Sequence, residues 1–416
     1  MDWFETYESE IRAYSRAYPA VFVKGQNATQ YDENGKAYID FYAGAGVLNF
    51  GHNHPKLKQA MIDYLESDGV LHSLDMMTEA KRDFIQGFVE TILKPRGMDY
   101  KLQFMGPTGT NAVEAALKLA RKVTGRSHVV AFAQGFHGMT LGSLACTANE
   151  HFRNAAGVSL SEASHWPYDT NVGGGIESLK TLRALYENSS GGMQKPAAFV
   201  VERVQAEGGV NVASPEWLQA LQQLARDLGA LLIIDDIQAG CGRTGHYFSF
   251  EDAGIDPDIV TLAKGIGGLG TPMAMNLVKP EHDRHWSPGE HTGTFRGQNL
   301  SFVAGREALR FFEDDEFLTS VREKGKVMAA ALKKMAQDWS DQGFEVRGKG
   351  MMQALDVKDG SLAKDVARGC FDRGMLFGPC GVGGSVIKLI PPLTIPDDEL
   401  TKGLGILADA LGAAMA

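Results

Sequence analysis

Short apolar runs recur along residues 101–278 and predict buried strands. They lie at 101–105, 129–133, 197–202, 231–237, 259–263 and 273–278. Between several of them, apolar residues return at helical spacing, as at 111–122 and 215–228. Strands that alternate with helices favour a mainly parallel sheet with both faces covered. The pattern therefore predicts an α/β fold.

The pattern changes at both ends of the chain. After Asn299 it predicts long amphipathic helices at 300–312 and 317–338, then strands at 344–346, 351–357 and 385–389. At the other end, residues 1–24 predict one helix, and 29–41 predict a hairpin because Asn34-Gly35 readily adopts positive φ. We expect a large domain of residues 51–299 and a smaller α+β domain made of residues 1–50 and 300–416 together.

Composition narrows the setting of the protein. The 416 residues exceed one ordinary domain, and 44% hydrophobic with 22% charged residues is normal globular composition. The net charge of −10 argues against nucleic acid or an anionic membrane as a partner. No apolar stretch is long enough to span a bilayer, and the acidic N-terminus lacks a signal-peptide layout.

The cysteines point to a reducing compartment. They are scattered along the chain without a Cys-x-x-Cys pair, at Cys146, Cys241, Cys370 and Cys380. Such usage speaks against a disulfide framework or a zinc site. We therefore predict a cytoplasmic protein without a metal.

Two predicted strands end in residues that can carry chemistry. Asp235 lies near the end of the run at 231–237, and Gln238 follows it directly. Lys264 follows the run at 259–263. Open α/β sheets bind ligands at the carboxyl ends of their strands. A lysine in an apolar site has a disfavoured ammonium form, so its amine becomes available for covalent chemistry. A nearby carboxylate can keep a pyridine nitrogen protonated, although a lone lysine at a strand end is ordinarily a surface residue.

Two segments upstream complete this pattern. Pro107-Thr108-Gly109-Thr110 joins a strand to a helix, where free amides and hydroxyls can bind a phosphate; the simpler interpretation is a helix N-cap by Thr110. It is neither a Walker loop nor a dinucleotide fingerprint. Phe136-His137-Gly138 offers a flat ring that either stacks on a cofactor or packs in the core. Phosphate loop, ring, carboxylate and lysine together predict a pyridoxal 5′-phosphate site.

The residues around these positions resemble class III (ω-amino) aminotransferases. The similar stretches are 232–245, Leu262-Ala263-Lys264-Gly265, 202–209 and His291-Thr292-Gly293-Thr294-Phe295. The resemblance covers the chain from about residue 20 onward. It implies a fold-type I pyridoxal-phosphate-dependent transferase, with a mainly parallel seven-stranded sheet in the large domain.

The same resemblance implies roles for individual residues. Lys264 would bind the cofactor covalently and shuttle protons, and Asp235 would pair with the ring nitrogen. The remaining cofactor contacts would be Gln238 at the phenolic oxygen, Phe136 and its neighbour His137 at the ring, and Gly109 and Thr110 at the phosphate. Thr294 would reach that phosphate from the neighbouring subunit, so a homodimer or larger homo-oligomer is implied.

Further stretches resemble one subgroup of this family. Residues 44–52 and 106–114 are similar to the diaminobutyrate–2-oxoglutarate transaminases of ectoine biosynthesis. That subgroup moves the amino group of glutamate to aspartate 4-semialdehyde. The alternative is another class III ω-aminotransferase, acting on ornithine, 4-aminobutyrate or a polyamine. An aminomutase or a non-catalytic regulator of the same fold is also considered, and a regulator would be expected to lack Lys264 or Asp235.

Two departures from the wider family bear on the substrate. Met139 stands where ornithine and 4-aminobutyrate aminotransferases have a carboxylate-binding arginine. Lys388 replaces an arginine that pairs with a glutamate matching Glu207. Lysine is a point donor without arginine's two-pronged grip on a carboxylate. Glu207 and Lys388 are therefore either substrate contacts or a structural ion pair.

Overall fold

The computed structural model describes residues 3–416; residues 1 and 2, the start of the predicted first helix, lie outside this range. The longer helices are Pro55–Glu66, Glu79–Phe88, Gly109–Thr124, Gly175–Glu187, Pro215–Leu228, Asn299–Ala308, Glu316–Asp338, Gly360–Asp372 and Asp397–Met415. The shorter ones are Trp3–Tyr7, Tyr14–Ala17, Ala43–Gly46, Leu141–Cys146, Glu150–Asn154 and Pro280–Asp283. Among the described residues, no helix is both long and apolar enough to cross a membrane.

Within the described chain, seven strands form the large sheet. Their spatial order is Lys101–Phe104, Met275–Val278, Ile259–Leu262, Leu231–Asp235, Ala198–Val201, Val129–Phe132 and Ala163–Trp166. Met275–Val278 runs antiparallel to both neighbours, and the remaining neighbouring strands of this sheet pair in parallel. The predicted mainly parallel α/β sheet is confirmed. The sequence pattern missed Ala163–Trp166, an edge strand that is only half-buried and contains Ser164 and His165.

Helices pack on both faces of the large sheet. Gly109–Thr124 buries Val113 and Leu117 in one cluster, whereas Pro215–Leu228 buries Trp217 in another. Both helices begin at side-chain caps: Thr108 accepts from the amide of Asn111, and Ser214 from that of Trp217. The sheet is therefore covered on both sides, and its carboxyl edge is left for a ligand.

The N-terminal segment departs from its prediction in one place. The hairpin is confirmed: Thr29–Asp32 pairs with Ala37–Asp40, and Gly35 has a φ of 80° in the turn. The single helix predicted over residues 1–24 is wrong. The described part holds two short helices, and the strand Phe22–Gln26 follows them. Pro19 disfavours helical backbone at the residue before it, which ends the second helix.

The C-terminal part builds on the N-terminal hairpin. Met375–Leu376 joins the sheet of the hairpin, beside Ala37–Asp40. A separate sheet has the order Glu345–Lys349, Met352–Asp356, Val386–Leu389 and Gly378–Cys380, and a small ribbon pairs Val204–Gln205 with Asn211–Val212. One hydrophobic cluster joins Phe41 to Leu355, Leu389 and Leu404. The division of the chain at residues 50 and 299 stays a prediction.

The helix predicted over 300–312 begins one residue earlier and is α-helical only as far as Ala308. The α-helix runs Asn299–Ala308 and continues as the 3₁₀ turn Leu309–Phe312. Gln298 caps its start by accepting the amide of Ser301. This helix packs against Pro55–Glu66 and Glu79–Phe88, so it ties the segment after Lys264 to the N-terminal part of the chain.

Candidate active site

A cavity of about 430 Å³ lies at the carboxyl edge of the large sheet. Most of the predicted site residues line it: Gly109, Thr110, Phe136, His137, Glu207, Asp235, Gln238 and Lys264. Met139 also lines it. Residues from five separate parts of the sequence thus meet in one space, as the strand-end argument predicts.

Asp235 forms the floor of the cavity at the end of Leu231–Asp235. Its Oδ2 contacts Nδ1 of His137 at 2.8 Å. Its Oδ1 accepts from the amide of Ile237 at 3.2 Å and from the hydroxyl of Thr261 at 3.3 Å. Burial alone would lower the pKa of His137, but the hydrogen bond and charge of Asp235 raise it above its ordinary value. His137 therefore binds the Asp235 side chain directly, in a hydrogen bond between two buried groups.

Glu202 is a second carboxyl group in the floor. It follows the strand Ala198–Val201, lines the cavity and accepts the amide hydrogen of Phe136 at 3.0 Å. Burial raises the pKa of Glu202 to about 8. Glu202 closes the predicted strand 197–202 and begins the stretch 202–209 that resembles the family, but it was not predicted as a site residue. The rule that strand ends carry site residues, which identified Asp235, applies to Glu202 equally.

Lys264 lies beside this floor. It follows the strand Ile259–Leu262 and opens a 3₁₀ turn with a φ of 52°, a left-handed conformation that is uncommon outside glycine. Burial lowers the pKa of Lys264 to about 8, against the opposing charge of Glu207. Roughly a tenth of the side chain is therefore a neutral amine at pH 7, far more than for an ordinary lysine.

A group of hydroxyls surrounds the predicted phosphate loop. Thr108, rather than Thr110, caps the helix, so the N-cap interpretation of Thr110 is wrong. The hydroxyl of Thr110 lies 2.7 Å from that of Thr140 and also contacts that of Ser143. A Cβ on Gly138 would lie 2.4 Å from Thr110 Oγ1, so glycine there keeps the hydroxyl in place. Free amides in the first helical turn and clustered hydroxyls suit a phosphate group.

Gln238 faces the cavity with one unsatisfied atom. Its Nε2 donates to the carbonyl of Ala45 at 2.6 Å. Its Oε1 is buried and has no hydrogen-bond partner within residues 3–416. Buried polar atoms are nearly always partnered in folded proteins. The unsatisfied amide is therefore consistent with a polar ligand in the cavity.

Glu207 and Lys388 contact each other at the edge of the cavity. Nζ of Lys388 donates to Oε1 of Glu207; the lysine side chain is 1% exposed and the glutamate side chain 34% exposed. Burial would raise the pKa of Glu207, but the charges of Lys388 and Lys264 lower it. Burial would likewise lower the pKa of Lys388, which Glu207 raises. Both groups are therefore charged in the folded chain.

Thr294 lies apart from these residues. It is exposed, and it does not contribute to the lining of the cavity in its own chain. Its carbonyl accepts from Nε2 of His72 at 2.9 Å. No local sequence pattern indicates this contact, because the two residues are 222 positions apart.

The family model for class III aminotransferases matches residues 12–411, so the chain belongs to this family. The diaminobutyrate–2-oxoglutarate transaminase of Wolinella succinogenes is 49% identical over 98% of this chain and 95% of its own length. That of Halomonas elongata is 50% identical over 97% and 96%. Among solved structures, an ornithine aminotransferase from Toxoplasma gondii superposes with a TM-score of 0.86, at 27% identity over 99% of this chain and 94% of that one.

The chain is an aminotransferase, and pyridoxal 5′-phosphate is the cofactor of its family. The residues present fit this cofactor. Thr110, its neighbouring hydroxyls and the helix amides suit the phosphate, and the Asp235–His137 pair suits a protonated ring nitrogen. The amine of Lys264 and the side-chain amide of Gln238, whose Oε1 is unsatisfied, complete the set of polar groups around the cavity.

Proposed function

We propose that the chain transfers the amino group of L-glutamate to the aldehyde carbon of L-aspartate 4-semialdehyde. The products are L-2,4-diaminobutyrate and 2-oxoglutarate, and the reaction is reversible and proceeds in two half-reactions. The observation that carries this proposal is the near-complete match to relatives bearing the name diaminobutyrate–2-oxoglutarate transaminase, at about half-identical sequence. The ornithine aminotransferase of similar fold is far less similar in sequence, so the ornithine alternative is not favoured.

In this proposal the floor of the cavity carries the chemistry. The bound cofactor supplies an electron sink for breaking bonds at the carbon that bears the amine. Lys264 holds the cofactor through its amine and, when released, moves a proton to and from the substrate carbon at Nζ. Its lowered pKa suits both tasks near neutral pH. Asp235, backed by His137, keeps the ring nitrogen protonated.

The remaining contacts position the cofactor. Phe136 would lie against the ring face, and its amide donates to the carboxyl group of Glu202. Gln238 bonds the phenolic oxygen, and Gly109 and Thr110 bind the phosphate. Each of these residues lines the cavity. Such fixed contacts matter because a misplacement of about 1 Å can cost on the order of a hundredfold in rate.

We assign substrate contact to Glu207 and Lys388. Lys388 is nearly fully buried and charged, so it can bind a substrate carboxylate wherever Glu207 moves aside. Met139 is half exposed and offers no charge to a distal carboxylate. Long ω-amino acids such as ornithine and 4-aminobutyrate are therefore expected to be poor substrates.

The proposal includes the assembly and setting of the protein. Thr294 is exposed, its neighbour Phe295 is 62% exposed, and Met77 in the segment 72–78 that is bonded to this loop is 98% exposed. Exposed apolar side chains of this kind mark contact surfaces. We place Thr294 at the cofactor phosphate of a neighbouring subunit in a homodimer or larger homo-oligomer. We place the reaction in the cytoplasm and in ectoine biosynthesis, and the four buried free cysteines suit a reducing compartment.

A labelling experiment tests the reaction. Purified enzyme is incubated with ¹⁵N-glutamate and aspartate 4-semialdehyde, and the label is located by NMR. The expected product carries the label on its terminal nitrogen. Ornithine and 4-aminobutyrate are assayed as donors in parallel. Label on the α-nitrogen, or faster turnover with either of those donors, would overturn the substrate assignment and leave the aminotransferase class intact.

Mixed subunits test the placement of Thr294. Chains carrying Lys264→Ala are dissociated and reassociated with chains carrying Thr294→Ala. If Thr294 acts across the interface, each mixed dimer regains one site with both residues intact, and tight cofactor binding returns there. If it acts within its own chain, no intact site forms. The Thr294→Ala homodimer provides the weakened reference.

A further inference from the structure

The loop that carries Thr294 has little structure of its own. Residues 291–298 contain no helix or strand, and Gly293 and Gly297 flank Thr294. A hydroxyl can contribute to a binding site across an interface only if its backbone is held in a defined place. The contacts that hold this loop are therefore part of the site, although they lie outside the cavity.

A second segment, residues 72–78, is bonded to this loop at several points. Nε2 of His72 donates to the carbonyl of Thr294 at 2.9 Å, and its ring meets that of Phe295 edge-on at 5.5 Å. Asp75 pairs with Arg296 at 3.7 Å. Asn299, at the end of the loop, bonds Ser73 at 3.1 Å and Thr78 at 2.7 Å. The two segments form one unit despite their distance in sequence.

Among these contacts, the bond from His72 is the one that reaches Thr294 itself. His72 is exposed in the single chain, where water competes for such a bond. Its ring packs edge-on against Phe295, which is 62% exposed, and two further apolar residues of the same segment, Leu74 and Met76, are 47% and 61% exposed. An interface that covers these side chains would exclude water from the bond and strengthen it.

We infer that His72 is a positioning residue for the cofactor phosphate, because its ring holds the backbone of Thr294 where that residue meets the neighbouring subunit. This inference rests on the proposed role of Thr294. His72 does not line the cavity of its own chain. It acts on the neighbouring site through the carbonyl of Thr294, and its effect therefore depends on the Thr294 side chain.

The loop is also bonded to the phosphate helix of its own chain. Nε2 of His291 donates to Oδ1 of Asn111 at 3.1 Å, and that oxygen also accepts the amide of Gly106 at 3.1 Å. Burial lowers the pKa of His291, so the ring is neutral near neutral pH. His291 fixes the start of the loop, and His72 fixes it at Thr294.

A double-mutant cycle on cofactor affinity tests this inference. The dissociation constant of pyridoxal phosphate is measured by absorbance for the wild type, His72→Ala, Thr294→Ala and the double variant, with dimer mass recorded for each. His72→Ala is expected to weaken binding about three- to tenfold, the size of one lost hydrogen bond. In the Thr294→Ala background the same change is expected to add almost nothing. His72→Gln, which keeps an N–H donor, should recover part of the affinity.

His285→Ala is the matched control, because His285 is an exposed histidine that lies near the same loop in sequence and outside it. Full additivity of His72→Ala and Thr294→Ala, or unchanged affinity in His72→Ala, overturns the inference while the Thr294 role stands. Unchanged affinity in Thr294→Ala overturns both the inference and that role. The aminotransferase reaction itself is measured separately at saturating cofactor and is unaffected by either outcome.

Discussion

The floor of the cavity and the Thr294 loop are held in place by different means. Asp235 is 5% exposed and its carboxylate has three hydrogen-bond partners within the sheet and the adjoining loop. Thr294 is exposed and is held by a ring from a distant segment. The floor is thus pre-organised by one folded chain. The loop depends on a surface that a second chain would cover. This difference predicts that changes in the floor reduce turnover, whereas changes in the loop reduce cofactor affinity.

The largest expected effect is that of Lys264→Ala. Removing the amine removes both the covalent attachment and the proton carrier, so turnover should fall by about 10²–10⁴-fold or more. The variant should still bind cofactor non-covalently, since the phosphate contacts remain. Turnover is measured at saturating cofactor, and attachment by mass spectrometry after borohydride reduction. Cofactor that borohydride attaches to the variant chain as efficiently as to the wild type would contradict the assignment of Lys264.

Asp235→Asn should be nearly as damaging. Asparagine preserves the size of the side chain but not its charge, so the ring nitrogen loses its anionic partner. The pKa of His137 should fall, because the hydrogen bond and charge that raise it are weakened. We expect a loss of turnover on the order of a hundredfold or more, with cofactor affinity much less changed, and NMR of the His137 ring reports its pKa. Wild-type turnover in this variant would show that Asp235 is not needed at the ring nitrogen.

The Glu207–Lys388 pair gives an intermediate case, because it is buried at one end and partly exposed at the other. Glu207→Gln leaves the charge of Lys388 buried without its partner. Breaking a buried pair is costly, but water reaches Glu207, so the free energy of unfolding should fall by about 1–3 kcal/mol. Arg82→Gln is the control, since Arg82 pairs with Glu79 and Asp83 on the surface and should change little. Urea unfolding of both variants measures the two losses of stability. Equal losses would contradict a larger contribution from the Glu207–Lys388 pair than from the surface pairs of Arg82.

The last expected effect is a change of slope with pH, which isolates Glu202. In the folded chain its pKa is about 8, compared with 4.5 for an ordinary glutamate. Between these values the folded chain retains a proton that the unfolded chain has lost. The free energy of unfolding therefore falls as pH rises from about 4.5 to 8. Glu202→Gln should reduce that slope by up to roughly 1 kcal/mol per pH unit. Urea titrations of the cofactor-free protein at several pH values measure it, and an unchanged slope would argue against a neutral buried Glu202.

Much of the floor could be predicted from the sequence because it follows from strand ends. Asp235 and Lys264 each follow a buried apolar run, and parallel strands bring their carboxyl ends together. The hairpin around Gly35 was equally local. By contrast, the contact of His137 with Asp235 joins residues 98 positions apart, and nothing in either local pattern indicates it.

The loop and the edge of the cavity were less predictable for the same physical reason. A loop takes its conformation from whatever packs against it, and the partner of Thr294 is His72 on an exposed segment without a strong pattern. Glu207 and Lys388 were recognised only through family resemblance. Their contact depends on strand Val386–Leu389 of the C-terminal sheet packing against the ribbon segment 204–212 that carries Glu207. The prediction of one helix over residues 1–24 was wrong. Pro19 ends the second of the two short helices, because the residue before a proline disfavours helical backbone.

The left-handed backbone of Lys264 has a consequence for how this position can evolve. A non-glycine residue with a φ of 52° carries strain of roughly 1–3 kcal/mol, and glycine would carry almost none. Selection for folding alone would therefore drift toward glycine at residue 264. A library of variants screened only for thermal tolerance should enrich glycine at residue 264. A library screened for growth that depends on the enzyme's reaction should exclude it. The residue that does the chemistry is retained against the preference of its own backbone.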